Sequence, residues 1–278
     1  MSPIDVSIVV TTRNEEKHIP SCLESVRRQD YPAEKYEIII VDNNSTDRTK
    51  EIASRCTPLV FNHGPERSAQ RNFGIERARG KYILYLDADM TLGDGLLKEC
   101  VGKCDSEGLS GLYIPERVIG KGFWIKARDF ERSFYNGTCI DAARFVRRET
   151  ALEIGGFDEN LNGPEDWDFD RRLRVAGKVG VASAVIFHDE GRFNLRSYLK
   201  KKSYYSRGFA AYIAKWGKSN LEIKKQFGLR YRYLGVFLEN GKWRRLLAHP
   251  LLAGGMFFLR LVVGIVFLVS RIHSGEKP

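Results

Sequence analysis

The sequence predicts an α/β protein: a mostly parallel, Rossmann-like sheet flanked by helices, followed by a helical C-terminal extension. Three observations predict it. Short apolar, β-branched runs alternate with amphipathic segments four times between residues 6 and 86, the pattern of parallel strands joined by crossover helices. Several of these runs end in acids or polar turn residues, which puts chemistry at the carboxyl edge of a sheet, where open α/β sheets bind ligands. The last third changes character and becomes basic and helical.

The elements follow in order. Val6 to Thr11 reads as the first buried strand. Asn14 is placed to cap the next helix, with Glu15 and Glu16 in its first turn and Ile19, Leu23 and Val26 on its apolar face. Glu37 to Val41 is a second strand, running into Asp42-Asn43-Asn44-Ser45, where Ser45 suits the cap of a helix to about Ser54. Leu59 to Phe61 is a third strand, 66–79 a third helix, and 81–86 the strand before Asp87-Ala88-Asp89. Residues 109–118 and 142–147 read as single strands, separated by the stretch Gly120-Lys121-Gly122-Phe123-Trp124. A helix from Pro164 to about Ala176 starts with proline first and acids in the first turn, and two short strands near 178–187 follow. Beyond Phe193 the chain is mostly helical, ending in the apolar stretch Leu246 to Ser270.

Composition narrows the function classes. A chain of 278 residues, 43% hydrophobic and 29% charged, folds around one large core or two small ones. The net charge of +10 is concentrated in the last third, which suits an anionic partner: a membrane surface, a phosphorylated substrate or nucleic acid. Nucleic acid is set aside, because Tyr204 and Tyr205 among lysines are not accompanied by any nucleic-acid motif. The odd, scattered set Cys22, Cys56, Cys100, Cys104 and Cys139 fits free thiols in a reducing compartment. With a strand at its very start and no leader, the chain is expected to stay on the cytoplasmic side.

The acids carry the chemistry. Asp87 and Asp89, one residue apart at a strand end, can share a divalent cation and a ribose hydroxyl, since Mg²⁺ and Mn²⁺ prefer oxygen ligands between carboxylates and phosphates. Thr11 with Asn14, then Asp42, reach the same edge from neighbouring strands, and Arg71 supplies a cation there. Each has a structural alternative: Asn14 a cap, Asp42 a turn former, Arg71 a surface charge. Together they suit a nucleotide diphosphate. At the second acidic site, Glu165 and Asp166 are equally explained as first-turn acids.

The chain resembles the family 2 inverting nucleotide-sugar glycosyltransferases with the GT-A fold. The matching stretches are Val-Ser-Ile-Val-Val-Thr-Thr-Arg-Asn-Glu-Glu (6–16), Val-Asp-Asn-Asn-Ser-Thr-Asp (41–47), the run from Gln70 to Asp89, Gly-Gly-Phe-Asp-Glu (155–159) and Gly-Pro-Glu-Asp-Trp-Asp-Phe (163–169), in the family's order. The resemblance implies a GT-A catalytic domain over 1–192, with a nucleotide half (1–92) and an acceptor half (93–192). It implies that Thr11, Asp42 and Arg71 hold the base, that Asp87 meets the ribose and that Asp89 meets Mn²⁺ or Mg²⁺. It further implies Asp166 as catalytic base, Glu165 and Trp167 on the acceptor side, and His188 reaching the metal or the diphosphate. Asp168 and Asp170 are expected to pair with Arg171, Arg172 or Arg174. Arg13 departs from the pattern, standing where related enzymes often carry a stacking aromatic; a guanidinium can also stack on a base. The expected reaction moves a sugar from a nucleotide diphosphate sugar to a hydroxyl of a polyprenyl-linked acceptor. Transfer to polyprenyl phosphate itself is the alternative within the fold. A nucleotidyltransferase is the alternative of another class, although Thr11-Thr12-Arg13-Asn14 is not the Gly-rich basic loop it would need.

The C-terminal region divides into a basic helical extension, 193–245, and an apolar membrane-associating segment, 246–271. The 25 residues from Leu246 to Ser270 are long enough to span a bilayer, which takes about 20. Arg260 splits the stretch, at about 2.5–3.5 kcal/mol on insertion scales, and Pro250 and Gly254-Gly255 are expected to break or bend it. Spanning, entry into one leaflet with Arg260 near lipid phosphates, and burial against the protein all remain open. Arg271, His273 and Lys277 lie beyond.

Overall fold

The computed structural model describes residues 3–274, apart from the side chains of 267–274. The first half runs β1 (Val6–Thr12), α1 (Ile19–Arg27), β2 (Tyr36–Asp42), α2 (Thr49–Ser54), β3 (Val60–Asn62), α3 (Arg67–Arg77) and β4 (Tyr82–Asp87). These strands lie parallel in the order β3-β2-β1-β4, with Val9 between Ile39 and Tyr85. Because strand side chains alternate with period two, β1 feeds two cores. Ile8 and Val10 meet Leu23, Val26, Leu84 and Leu86 on one face, while Val9 joins Ile75, Ile83, Tyr85 and Phe169 on the other. Each such fully buried side chain contributes about 1.5–3 kcal/mol, and this double burial makes the strand ends a rigid platform.

The chain continues through β5 (Met90–Leu92), α4 (Leu96–Glu107), β6 (Gly111–Tyr113), β7 (Glu116–Lys121), α5 (Phe123–Arg132), β8 (Phe145–Arg147), α6 (Arg148–Glu153), α7 (Glu165–Ala176), β9 (Val179–Val181) and β10 (Ile186–Arg192). β8 extends the main sheet antiparallel to β4, followed by β6 and β9, giving seven strands. A second sheet has the order β5-β10-β7. The single strand expected over 109–118 is two strands in different sheets. Proline lacks the N–H a ladder needs, and Pro115 marks the crossing, its carbonyl accepting from Ile186 N–H.

Two expected helix caps are corrected. α1 begins at Ile19 after an uncapped His18, and α2 begins at Thr49, where Asp47 Oδ1 accepts from the Thr49 N–H. Asn14 and Ser45 instead clip the loops after β1 and β2 together. Asn14 N–H donates to Ser45 Oγ at 2.8 Å, and Asn14 Oδ1 accepts from Thr46 N–H at 2.8 Å.

The remainder is helical: α8 (Leu195–Ser206), α9 (Phe209–Trp216), α10 (Leu221–Phe227), a π turn over Tyr231–Gly235, α11 (Val236–Leu238), α12 (Trp243–Ala248) and α13 (Pro250–Ser274). Pro250 breaks the apolar stretch as expected, with α12 ending at Ala248 and α13 starting at Pro250, whereas Gly254-Gly255 does not interrupt α13. Gly255 lets α13 approach α5, since a Cβ there would sit 2.7 Å from the Phe123 ring. Arg260, expected to interrupt the apolar stretch, is 7% exposed and pairs with Glu131 at 2.5 Å within the protein. Ala253 and Met256 pack one face of α13 against Phe130, Phe134 and Phe237, and Leu259 is also buried, while Leu251, Phe258, Leu261 and Ile265 are exposed. No helix of the described residues is long and apolar enough to cross a membrane. Arg271, His273 and Lys277 fall outside the residues whose side chains are described.

Candidate active site

The loops after β1 and β2 form the first wall. Asp42 is fully buried, and its carboxylate accepts from both the backbone N–H (2.8 Å) and the hydroxyl of Ser45. Arg13 is exposed on the facing loop, and Gln70 braces both strand ends by donating to the carbonyls of Thr12 and Val41. Asp42 and Asn14 thus share one clipped loop pair through Ser45, with Arg13 at its rim.

The second wall is an acid–base network between the end of β4 and the start of α7. Arg71, 1% exposed, donates through Nη1 to Asp166 Oδ1 at 2.5 Å and through Nη2 to Asp87 Oδ1 at 3.3 Å. Thr11 Oγ1 also donates to Asp87 Oδ1, at 3.1 Å. Thr11 and Arg71, both expected at the nucleotide base, thus meet Asp87, the carboxylate expected at the ribose, and Arg71 also meets Asp166, the expected catalytic base. Arg67, one turn earlier on α3, donates to Glu165 at 2.9 Å and lies 3.7 Å from Asp87. Burial works against ionised Asp87 and Asp166, but Arg71, Arg67 and Arg144 outweigh it and hold both below the usual carboxylate range. Glu165 goes the other way: burial and the neighbouring Asp166 charge raise it. The two adjacent acids are thereby driven apart in acidity.

Glu165 and Trp167, both expected on the acceptor side, are held by contacts within the protein. Glu165 is 2% exposed, its carboxylate turned inward to Arg67 and the Gly163 N–H, so it braces the loop before Asp166. Trp167 lies in an aromatic cluster with Phe209, Tyr212 and Phe227 that anchors α7 to α9 and α10. Asp166 keeps a 30% exposed side chain. Asp168 pairs with Arg172 at 2.7 Å and Asp170 with Arg174 at 2.8 Å.

The third group is Asp89, His188 and Glu116. His188 Nε2 lies 3.1 Å from Asp89 Oδ2, and Nδ1 lies 3.1 Å from Glu116 Oε1. Burial opposes protonation of the imidazole, but the two carboxylates outweigh it and push it up to about 9. Asp89 Oδ1 is buried with no hydrogen-bond partner among the described residues, an arrangement that costs free energy unless a cation or donor meets it. Among the described residues no group of three or more His, Cys, Asp or Glu converges as a metal site. Two protein ligands nonetheless suit Mg²⁺ or Mn²⁺, which are commonly held by one or two carboxylates together with substrate phosphates. Asp89 and His188 fit that role, with Glu116 orienting the ring from behind.

Arg67, Glu116 and Arg144 escaped the sequence reading. Arg67 precedes Arg71 by four residues and so shares its helix face, a usable signal. Arg144 is a charge just before the apolar pair Phe145-Val146, and its Nη2 meets Glu116 at 3.3 Å. Nothing local marks Glu116, whose partners come from α5, from the residue preceding β8 and from β10.

A parallel nucleotide-type half with acids at the end of β4 faces a second acidic pair at the start of α7, which defines a glycosyltransferase of the GT-A fold. The chain belongs to glycosyl transferase family 2, whose sequence profile matches residues 7–157, more than half of it. Nucleotidyl transfer, the alternative of another class, drops out with that assignment. The chain is similar to glycosyltransferase AglE of Haloferax volcanii, 28% identical over 251 residues, covering 84% of this chain and 81% of AglE. It is also 30% identical over 220 residues to the poly(ribitol-phosphate) beta-N-acetylglucosaminyltransferase TarS of Staphylococcus aureus strain Mu50, covering 72% of this chain but only 38% of TarS. Two solved structures share the fold. Mannosyltransferase PcManGT from Pyrobaculum calidifontis, in complex with GDP-Man and Mn²⁺, aligns with TM-score 0.61 at 19% identity, over 100% of this chain and 84% of that one. Residues 1–349 of S. aureus TarS, in complex with UDP-GlcNAc, align with TM-score 0.56 at 20% identity, over 92% and 80%.

Proposed function

We propose that the chain is a metal-dependent inverting glycosyltransferase that moves one sugar from a nucleotide diphosphate sugar to a hydroxyl of a membrane-presented, polyprenyl-linked acceptor. The observation that carries this reading is the Asp87–Arg71–Asp166 bridge, which sets a donor-side and an acceptor-side carboxylate around one buried guanidinium. Asp42, Asn14 and Arg13 would receive the base and Asp87 the ribose, with Thr11 and Arg71 fixing the Asp87 carboxylate. Asp89 and His188 would hold the cation, whose chemistry there is to offset the charge of the departing diphosphate. PcManGT with its Mn²⁺ and TarS with its nucleotide sugar support the donor class.

Asp166 is the base. Arg71 keeps it ionised through Oδ1, and Oδ2 has no protein donor among the described residues. That oxygen can take the proton of the attacking hydroxyl. Transfer to polyprenyl phosphate itself, whose oxygen already carries charge, is a second reading favoured by the basic residues of α8. Asp166→Asn separates the two: near-total loss of transfer means a hydroxyl acceptor, and substantial remaining transfer means a phosphate.

The membrane assignment draws on the exposed apolar residues of α12 and α13, among them Leu247, Leu251, Phe258 and Leu261, beside Arg244 and Arg245. An amphipathic face of this kind suits one leaflet of an anionic membrane, with the catalytic domain on the cytoplasmic side. Incubation with a panel of sugar nucleotides tests the function. Release of nucleoside diphosphate on transfer supports it, and release of pyrophosphate refutes it.

A further inference from the structure

Between α5, α8 and α13 lies a cluster of charges that the reaction above does not use. Its two acids are already engaged. Glu190 accepts from Arg128 through both oxygens, and Glu131 accepts from Arg260 Nη1 at 2.5 Å and from the Tyr135 hydroxyl. Lys202, half-buried on α8, and Arg232 on the π turn have no carboxylate within 4 Å among the described residues. Lys202 is instead set among like charges. Burial together with Arg128, Arg232 and Lys201 pulls its ammonium down to about 8, with only Glu131 opposing. Half-buried like charges with no ion-pair partner of their own are a cost to the fold, and an anionic ligand would reduce it.

Rings lead away from this cluster to the outside of the molecule. Lys202 Nζ and Arg128 Cζ lie 5.4 and 4.5 Å from the Tyr198 ring centroid. Tyr198 is 5.5 Å from Phe193, Phe193 is 6.1 Å from Trp124, and Trp124 is 5.6 Å from Phe258 on the exposed apolar face of α13. A cationic cluster joined to an apolar track matches a ligand with an anionic head and a hydrocarbon chain. We infer that Lys202 and Arg232 bind the phosphate of a long-chain lipid whose chain runs along Phe193, Trp124 and Phe258. The inference rests on the lipid-linked acceptor proposed above and gives it a place. α8 also reaches the catalytic network, since Tyr205 lies under the Arg67 guanidinium at 5.1 Å and Tyr204 donates to Glu66. A head group at Lys202 would therefore sit on the helix that borders the Arg67–Glu165 pair.

The test is calorimetric titration of the full chain with dodecyl phosphate below its micellar concentration, with dodecanol and with inorganic phosphate. The wild type is expected to bind dodecyl phosphate at least roughly tenfold more tightly than either fragment, because charge-assisted bonds and apolar burial add. Lys202→Met and Arg232→Gln should each weaken dodecyl phosphate roughly tenfold and leave dodecanol unaffected, whereas Lys218→Met, which removes an exposed charge on the loop before α10, should change neither. Wild-type binding by both site variants overturns the proposal. So does inorganic phosphate binding as tightly as dodecyl phosphate, which would mean a free-phosphate site, or dodecanol doing so, which would mean a bare apolar surface. Donor hydrolysis by the wild type is scored alongside. If no sugar nucleotide is hydrolysed while the binding differences stand, the enzymatic reading fails and the lipid-phosphate site survives. If hydrolysis proceeds and the variants bind normally, the site alone fails.

Discussion

Arg71 is the residue on which the two halves of the catalytic centre depend. It is buried, and each of its two pairs reaches a carboxylate that would otherwise repel the other. Removing one partner from a buried pair costs about 3–5 kcal/mol, because the remaining charges lose their compensation. Arg71→Met is expected to lower stability by about 3 kcal/mol in urea unfolding and to abolish transfer; a fully stable variant would show that the bridge is not structural. Asp42 acts on the donor. If its loop receives the base, Asp42→Ala should raise the donor KM severalfold with kcat less affected, and steady-state kinetics with normal donor affinity would misplace it. Lys202 gives a pH prediction. Its folded value, about 8, lies below the 10.5 of the free side chain, so the unfolded chain binds the extra proton between those values. Stability from this group therefore rises as pH goes from 8 toward 10.5 and is lowest below 8. The melting temperature should rise across that window more in the wild type than in Lys202→Met, and identical profiles would count against the burial of that charge.

At the scale of elements, the parallel half was legible because each strand is buried on both faces and reads as a continuous apolar run, with helical periodicity between. Caps were misread because the same short polar side chains that end helices also bond loop backbone. Asn14 and Ser45 have the cap chemistry, yet their partners lie more than thirty residues apart, on two different loops. Residues 109–118 read as one strand because nothing local says that the chain changes sheet at Pro115. Arg260 looked like an obstacle in an apolar segment because its partner, Glu131, lies 129 positions away. Gly255 is the element-scale test. Gly255→Leu would drive a side chain into Phe123, and overpacking of this kind costs about 1–3 kcal/mol. A melting temperature unchanged by that substitution would show that α13 does not pack on α5 as described.

At the scale of the whole molecule, a rigid sheet presents its acids at one edge, and a basic helical region with an exposed apolar stripe adjoins it. The acids at the ends of β4 and at the start of α7 were legible because their spacing matches a family. Their cationic partners Arg67 and Arg144 were not, since the pairs form only when α3, β8 and α7 converge. If α12 and α13 meet a membrane, the full chain should sediment with phosphatidylglycerol vesicles and be released by salt. Remaining in the supernatant at every ionic strength would remove the membrane from the account. The central claim, that Asp89 holds a divalent cation for sugar transfer, is tested most directly by nucleoside diphosphate release from the donor, with and without chelator, in the wild type and Asp89→Ala. The account predicts release only with Mn²⁺ or Mg²⁺ and a loss on the order of a thousandfold in the variant, with its circular dichroism unchanged. Full turnover in chelator, or by Asp89→Ala, would contradict it.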